Sequence, residues 1–142
     1  MLVTKEEITQ YIPQRPPIVM VHRLLRADDK ELRTGFDVEP DNLFVDNGVL
    51  MPPGLVENIA QSAAVRVGYL AKQNNEPVPI GYIGGISHLE VLELPAAGTQ
   101  IETLISIERE VMGATIAKGS VFQDGRLLAE CEMKIFVPQN KD

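Results

Sequence analysis

The longest regular pattern of apolar positions lies in the middle of the chain and is about twenty residues long. Its apolar side chains recur at the three- and four-residue spacing that places them on one face of an α-helix. Pro52 and Pro53 favour a helix start near Pro53 or Gly54, because proline is tolerated in the first turn of a helix. Asn74 favours an end near Gln73. One side of the predicted helix carries small residues that allow neighbouring backbone to approach closely: Ala60, Ala63, Ala64, Gly68 and Ala71.

The rest of the chain shows the apolar and polar alternation that is typical of β-strands. Before the helix, the pattern predicts a hairpin of two strands, 18–25 and 31–38. After the helix, it predicts strands over 78–86, 99–109, 112–123 and 126–137, the last two joined by the turn Asp124-Gly125. On the last strand we expect inward-facing Leu127, Ala129, Cys131, Met133, Ile135 and Val137. A capping box from Thr4 to Glu7 predicts a short helix over 5–11.

These elements predict an α+β fold in which an antiparallel β-sheet wraps around one long central helix. The 142 residues are expected to form a single domain, 1–142, with a frayed tail after about residue 138. The loop from Glu39 to Val49 leads directly into the helix and is expected to lie against its N-terminus, where free N–H groups point outward.

Two polar side chains, Glu57 and Gln61, interrupt the first turns of the helix. They are four positions apart and therefore stack on one face. One interpretation is a catalytic carboxylate with a side chain that orients it. The alternative is an ordinary solvated stripe, continued by Asn58, Ser62 and Arg66.

Charge and composition narrow the function. A net charge of −7 argues against sequence-independent binding to nucleic acid and against binding to an anionic membrane. Neither a signal peptide nor an apolar run long enough to cross a bilayer is seen, so we expect a cytoplasmic protein. No metal cluster, phosphate loop or nucleotide fingerprint occurs, and no cofactor is expected. Basic side chains concentrate between residues 15 and 33, where an acidic partner would dock unless this is an ordinary solvated face: Arg15, Arg23, Arg26 and Arg33.

Few other side chains offer chemistry. Cys131 is the only cysteine and lies in a strand pattern, which favours a buried, unreactive thiol. His22 and His88 are the only two histidines, and both fall on strand patterns where a structural or surface role is expected.

At the level of particular residues the sequence resembles the hot-dog fold (3R)-hydroxyacyl-[acyl-carrier-protein] dehydratases of bacterial fatty-acid synthesis. Three segments carry the resemblance. The segment 12–23 is similar to that family's leucine-proline-histidine-arginine segment and the strand after it, and 57–61 (Glu-Asn-Ile-Ala-Gln) is similar to its glutamate-alanine-methionine-alanine-glutamine helix motif. The segment 85–98 is similar to its glycine-isoleucine strand and the following turn. The likeness covers roughly residues 11–136, and it is nearest to the divergent dehydratase-like proteins of aryl-polyene and flexirubin-type pathways.

The resemblance implies a dimer with acyl-thioester tunnels at the interface and the elimination of water from a β-hydroxyacyl thioester. In that family a histidine on the loop before the helix and a glutamate on the partner subunit's helix carry the proton transfers. By position, Glu57 is the glutamate, Gly54 or Leu55 supplies N–H groups for the thioester carbonyl, and Gln61 orients Glu57. Phe44, Leu55 and Gly85 would contact substrate. Acyl carrier protein would dock on the four arginines named above.

The chain departs from that family in the loop before the helix, which contains no histidine. Glu90 and Glu93 also stand where these dehydratases tend to be basic. Three hypotheses follow. The chain is a dehydratase or dehydratase subunit that uses Glu57, a hot-dog thioesterase whose Glu57 activates water, or a non-catalytic partner that binds acyl chains. The acyl chain length, the choice between carrier protein and coenzyme A, and the choice between homodimer and heterodimer stay open.

Overall fold

The computed structural model describes residues 1–137. Its central element is helix α1, Pro52–Gln73, which has 22 residues. It begins one residue before the predicted start, with both prolines in its first turn, and ends at Gln73 as predicted. Asn75 adopts a positive φ of 56° immediately afterwards, and this left-handed conformation turns the chain away from the helix axis.

Within residues 1–137, eight strands accompany the helix. They are β1 Arg23–Ala27, β2 Glu31–Asp37, β3 Val45–Asp46, β4 Val49–Leu50, β5 Tyr82–Val91, β6 Gln100–Val111, β7 Ala114–Gln123 and β8 Arg126–Phe136. Six of them form one antiparallel sheet in the order β1-β2-β6-β7-β8-β5, and β3 and β4 form a small separate hairpin in the loop before α1. The strand that follows the helix, β5, therefore lies at one edge of the sheet.

Helix α1 packs against the sheet through β2, β6 and β7. Small residues bring the layers together as expected. A Cβ on Gly119 of β7 would collide with the side chain of Ile59, and a Cβ on Gly68 would collide with the backbone carbonyl of Tyr11. The first of these glycines lets the helix lie close on the sheet, and the second lets the N-terminal segment cross over the helix.

The sequence-based prediction for the N-terminal region is partly wrong. The carboxylate of Glu7 does accept hydrogen bonds from the N–H and the hydroxyl of Thr4, at 3.1 and 2.8 Å. The predicted helix over 5–11 is, however, only a 3₁₀ turn at Ile8–Gln10. A segment this short forms too few helical hydrogen bonds to offset nucleation.

The predicted strand 18–25 is also wrong in its first half, since β1 begins only at Arg23. The carbonyl of Ile18 and both backbone groups of Met20 bond to side chains of α1 instead of joining the sheet.

The later strands were predicted with shifted bounds. The strand predicted at 78–86 is observed as β5, which starts later, at Tyr82. Pro77 and Pro79 lie before this start, because proline has no N–H to donate to a neighbouring strand. Met112 and Gly113 have φ values of 49° and 82° and make the β6–β7 turn, so β7 starts at Ala114. On β8, Leu128 is fully buried in place of the predicted Leu127, because the pairing with β7 shifts between Val121 and Phe122. The tail beyond residue 138 lies outside the described residues.

Candidate active site around Glu57

Gln61 is the side chain that organises the helix start. It is fully buried, its Nε2 donates to the carbonyl of Ile18 at 2.7 Å, and its Oε1 accepts from the N–H of Met20 at 2.6 Å. The same Nε2 donates to Oε1 of Glu57 at 2.8 Å. Gln61 therefore holds both the segment before β1 and the carboxylate of Glu57, which is the contact expected of a side chain that orients Glu57.

The neighbouring polar residues of α1 are buried as well. Nδ2 of Asn58 donates to the carbonyl of Met20 at 2.7 Å, and its Oδ1 accepts from the hydroxyl of Thr103. The hydroxyl of Ser62 lies 2.7 Å from that of Thr34. The alternative of a solvated stripe is thus wrong for Asn58, Gln61 and Ser62. The sequence analysis missed the structural role of Asn58, although its position beside the buried Ile59 was a usable signal.

Glu57 lies at a cavity of about 150 Å³ between α1 and the β8–β5 side of the sheet. The helix side of this cavity is made of small residues, and the strand side is apolar. Its lining consists of Pro13, Gln14, Glu57, Ala60, Ala63, Ala64, Val67, Pro79, Gly81, Ile83 and Ile135. Oε1 of Gln14 is buried in this lining and has no hydrogen-bond partner within residues 1–137. The cavity thus offers one carboxylate and one amide oxygen in an apolar surround, an arrangement that suits an acyl chain carrying a polar group.

The backbone at the helix start is closed by the preceding loop. A Cβ on Gly54 would lie 2.7 Å from both the Leu50 and the Phe44 side chains, so the loop packs directly on the helix. The N–H of Gly54 donates to the carbonyl of Met51 at 2.9 Å, and that of Leu55 approaches the same oxygen at 3.4 Å. This geometry gives both N–H groups an acceptor inside the chain, so the binding of a thioester carbonyl by Gly54 or Leu55 stays a prediction.

Phe44 and Gly85 were predicted to contact substrate. Phe44 is half-buried over the helix start, and Gly85 lies on the exposed edge strand β5. Neither residue lines the cavity of Glu57.

The two histidines lie away from this cavity. His22 is buried, its Nδ1 accepts the N–H of Asp37 at 3.0 Å, and its ring lies 4.6 Å from that of Phe36. Burial lowers the pKa of His22 to about 4, so its ring is neutral at pH 7. His88 is exposed on β5, with a φ of 54° at an irregularity in the pairing with β8. The structural and surface roles expected for these histidines agree with this geometry.

The four arginines predicted to dock a carrier are engaged within the chain. Arg23 binds Asp37 through two hydrogen bonds of 2.8 and 2.7 Å, and Arg33 binds Glu102 at 3.1 Å. Arg26 lies 3.9 Å from the carboxylate of Glu31. Arg15 donates to the carbonyls of Ile12 and Gln14 and is the one arginine of the four without a carboxylate partner in the described part of the chain. Nearby carboxylates thus offset the charge of three of the four arginines. Docking of a carrier protein on these arginines stays a prediction.

The edge strand β5 is exposed from Tyr82 to Glu90, although much of it is apolar. The exposed large apolar residues on it and beside it are Ile80, Tyr82, Ile83, Ile86, Leu89 and Leu92. An apolar edge with free backbone groups is a surface that another strand can pair with. Ile83 belongs both to this edge and to the lining of the Glu57 cavity.

Other chemistry is limited. The thiol of Cys131 is buried, and burial raises its pKa to about 11, as expected for an unreactive cysteine. Within residues 1–137 no three His, Cys, Asp or Glu side chains are grouped so as to hold a metal ion. Helix α1 is the longest helix in this range, but neither it nor any other helix described has the length and apolar character needed to cross a membrane.

The long helix α1 packed against a large antiparallel sheet is the architecture of the hot-dog fold, and Glu57 and Gln61 are in contact at the helix positions where the resemblance to the dehydratases placed them. The model of the ApeP-like family, described as ApeP dehydratase, matches residues 6–142. The chain belongs to this family.

Curated relatives agree with this assignment. The 3-hydroxyacyl-[acyl-carrier-protein] dehydratase FabZ of Thiobacillus denitrificans is 27% identical over 134 residues, which are 90% of this chain and 92% of the relative. FabZ of Bacillus cytotoxicus is 26% identical over 145 residues, with coverage of 96% and 97%. Each match thus extends over nine tenths or more of both proteins.

Solved structures support the fold. The dehydratase heterocomplex ApeI:P from Xenorhabdus doucetiae has a TM-score of 0.85 at 17% identity, over 93% of this chain and 91% of the matched chain. A hypothetical thioesterase from Streptococcus pneumoniae, solved with coenzyme A, has a TM-score of 0.68 at 13% identity, with coverage of 84% and 90%. At these identities the likeness concerns the hot-dog fold alone.

Proposed function

We propose that this chain is a subunit of a dehydratase that removes water from a (3R)-hydroxyacyl thioester and leaves the trans-2-enoyl thioester. The observation that supports this most is the geometry of Glu57. A buried glutamine fixes one oxygen of its carboxylate, and the carboxylate lines an apolar cavity that suits an acyl chain. The proposed thioester is linked to acyl carrier protein, the carrier in the names of the FabZ relatives.

The elimination requires two proton transfers. A base takes a proton from carbon 2, the electrons of that C–H bond form the carbon 2–carbon 3 double bond, and the carbon 3–oxygen bond breaks. The departing hydroxyl takes a second proton and leaves as water. In the proposed mechanism Glu57 is that acid. Gln61 donates to Oε1, which leaves Oε2 to carry the proton that faces the substrate hydroxyl.

The base for carbon 2 is proposed to come from a second hot-dog subunit. The chain has only two histidines, and neither lines the Glu57 cavity. The edge strand β5 presents apolar side chains next to that cavity, which suits a partner strand. A heterocomplex is the assembly named for the Xenorhabdus doucetiae structure. A partner whose loop before the helix carries a histidine would place that base beside Glu57.

The test is dehydration by the protein assembled with such a histidine-bearing subunit. A 3-hydroxydecanoyl thioester is incubated with the complex, and mass spectrometry measures the loss of one water. Glu57→Gln keeps the hydrogen-bonding shape but has no proton to give, so the rate is expected to fall by about 10²-fold or more. Glu76→Gln, an exposed glutamate beyond α1, is the matched control and should keep the full rate.

A second candidate is a hot-dog thioesterase, in which the carboxylate of Glu57 activates a water. The lining of the cavity is compatible with this candidate, because it includes the carboxylate of Glu57 and no histidine. Release of free thiol without any enoyl product, lost in Glu57→Gln, would select the thioesterase. Equal rates in the wild type and Glu57→Gln would leave only the non-catalytic partner that binds acyl chains.

A further inference from the structure

Gln14 carries a hydrogen-bond acceptor that the chain leaves without a donor. It lies on the segment before β1, its side chain lines the cavity of Glu57, and its Oε1 is buried with no hydrogen-bond partner within residues 1–137. A buried acceptor that has lost its water and found no donor destabilises the protein in which it lies. The position of this oxygen therefore indicates a donor that comes from outside the chain.

The segment that carries Gln14 is attached to α1 on both sides of it. The carbonyl of Tyr11 packs on Gly68, where a Cβ would collide with it. The carbonyl of Ile18 accepts a hydrogen bond of 2.7 Å from Nε2 of Gln61. Gln14 is thus placed over the helix by contacts within the chain, before any ligand binds. An acceptor placed in advance loses less entropy when it binds its donor.

Only two of the described residues that line the cavity have polar side chains, and these are Gln14 and Glu57. The carboxylate of Glu57 is bound by Gln61 through Oε1, which leaves Oε2 for a ligand. The remaining lining is formed by proline, alanine, valine, glycine and isoleucine. A ligand in this cavity therefore meets one amide oxygen and one carboxylate oxygen in apolar surroundings.

The acyl group of a 3-hydroxyacyl thioester has one donor. Its thioester carbonyl oxygen only accepts hydrogen bonds, and its C–H groups are much weaker donors. The hydroxyl on carbon 3 has an O–H that donates and lone pairs that accept. It can therefore donate to Oε1 of Gln14 and accept a proton from Glu57 at the same time. The acyl group of the enoyl product has no such donor.

We infer that Gln14 binds the 3-hydroxyl of the substrate and selects acyl thioesters that carry it. The hydroxyl donates its own hydrogen to Oε1, and a lone pair of its oxygen faces the proton of Glu57. When the carbon 3–oxygen bond breaks, the oxygen leaves as water with its own hydrogen and the proton of Glu57. Gln14 transfers no proton and is a substrate-binding residue. The inference rests on the proposed function, because it assumes that this cavity receives a 3-hydroxyacyl thioester.

The test measures how much the 3-hydroxyl tightens the binding of a thioester. Glu57→Gln is assembled with the histidine-bearing subunit, because this variant should leave the hydroxyl in place during the measurement. The coenzyme A thioesters of (3R)-3-hydroxydecanoate and of decanoate are then titrated by isothermal calorimetry. We expect the 3-hydroxy compound to bind about tenfold more tightly, the net gain of one buried hydrogen bond. The 3S enantiomer, whose hydroxyl lies on the other side of the chain, should bind no more tightly than the decanoyl thioester.

Gln14→Met, added to Glu57→Gln, removes the amide and keeps the length of the side chain. The preference for the 3-hydroxy thioester should disappear, while the affinity for the decanoyl thioester should stay the same or rise. The variant should unfold at a urea concentration no lower than before, because it loses an acceptor that has no partner in the free protein. Gln73→Met, at an exposed glutamine that ends α1, is the matched control and should keep the tenfold preference.

Several results would overturn the inference. Equal affinities for the (3R)-3-hydroxydecanoyl and decanoyl thioesters would leave only a water at Gln14. A preference that survives Gln14→Met would assign the hydroxyl to another group. An equal loss of affinity for both thioesters would assign Gln14 to an N–H of the carrier arm. The comparison of the 3R and 3S compounds needs no change at Gln14, so equal affinities there would overturn the inference even if Gln14→Met does not fold.

The inference and the proposed function can fail separately. If the wild-type assembly dehydrates 3-hydroxydecanoyl thioester and any of these contrary results is found, the inference fails alone. If no thioester binds and no water is lost, the proposed function fails with it.

Discussion

The start of helix α1 and the edge strand β5 face each other across the same cavity. They differ in whether their polar groups and apolar side chains find partners within this chain. At the helix start, the buried side chains of Gln61 and Asn58 bind the backbone of Ile18 and Met20. Along β5, apolar side chains and one row of backbone groups face outward. The first region is complete within one chain, and the second has the properties of half an interface.

The helix start and β5 therefore have different roles in the proposed site. The helix start fixes Glu57 without outside help, because its hydrogen bonds all come from this chain. The opposite wall of the cavity is open at β5, so a second subunit can contribute to it.

The largest effect is expected from Gly68→Ala. The new Cβ would collide with the carbonyl of Tyr11, a backbone atom that cannot rotate away. We expect a loss of about 3 kcal/mol in the free energy of unfolding, measured by urea denaturation. Gly85→Ala on β5 is the control, since a Cβ there meets nothing within 4 Å. It should change stability by less than about 0.5 kcal/mol. Equal losses in the two variants would contradict the contrast between a closed and an open region.

The next effect is a loss of stability in mild acid caused by His22. Burial lowers its folded pKa to about 4, below the unfolded value of about 6.5, so the unfolded chain binds the proton more readily as pH falls. Between pH 7 and 4 we expect a loss of about 2 to 3 kcal/mol. The pKa of Asp37, held at about 2 mainly by its hydrogen bonds with Arg23, adds its loss only below about pH 4.

His22→Asn separates the two contributions. The asparagine keeps an acceptor for the N–H of Asp37 but does not titrate, so the slope between pH 7 and 4 should flatten. Thermal unfolding followed at several pH values measures it. An unchanged slope in the variant would show that another group is responsible.

The smallest effect on the fold, together with a large effect on assembly, is expected from Ile86→Asp. Ile86 is 43% exposed on β5, so the monomer loses little packing, but a partner strand would have to bury the new charge. We expect the dissociation constant of the assembly, measured by analytical ultracentrifugation, to rise about 100-fold. Met112→Asp, at a fully exposed turn position 98% accessible, should leave assembly unchanged. Wild-type association in Ile86→Asp would place the interface elsewhere.

Much of the fold follows from the sequence because its signals are local. The helix bounds depend on Pro52, Pro53 and Asn74, and the β7–β8 hairpin depends on Asp124-Gly125, so each is determined by neighbouring residues. The misassigned strand at 18–25 depends instead on Gln61 and Asn58, about forty positions away. Those side chains take the hydrogen bonds that a strand would have used, which no local pattern reveals.

The site shows the same limit. The spacing of Glu57 and Gln61 predicted their contact correctly, because side chains four positions apart on a helix meet. The ion pairs that engage Arg23 and Arg33 join different strands, and the unpartnered atoms of Gln14 and Arg66 are defined by packing across the core. Only the folded chain brings such groups together.

The most direct test of a site shared between two subunits is a titration of dehydration activity. A fixed amount of this chain is mixed with increasing amounts of a histidine-bearing hot-dog subunit whose own helix glutamate is replaced by glutamine. The rate of enoyl thioester formation is then measured. We expect almost no activity from either protein alone and a rise to a plateau at one equivalent, because Glu57 supplies the missing acid. Full activity of this chain alone, or no activity in any mixture, would contradict the account.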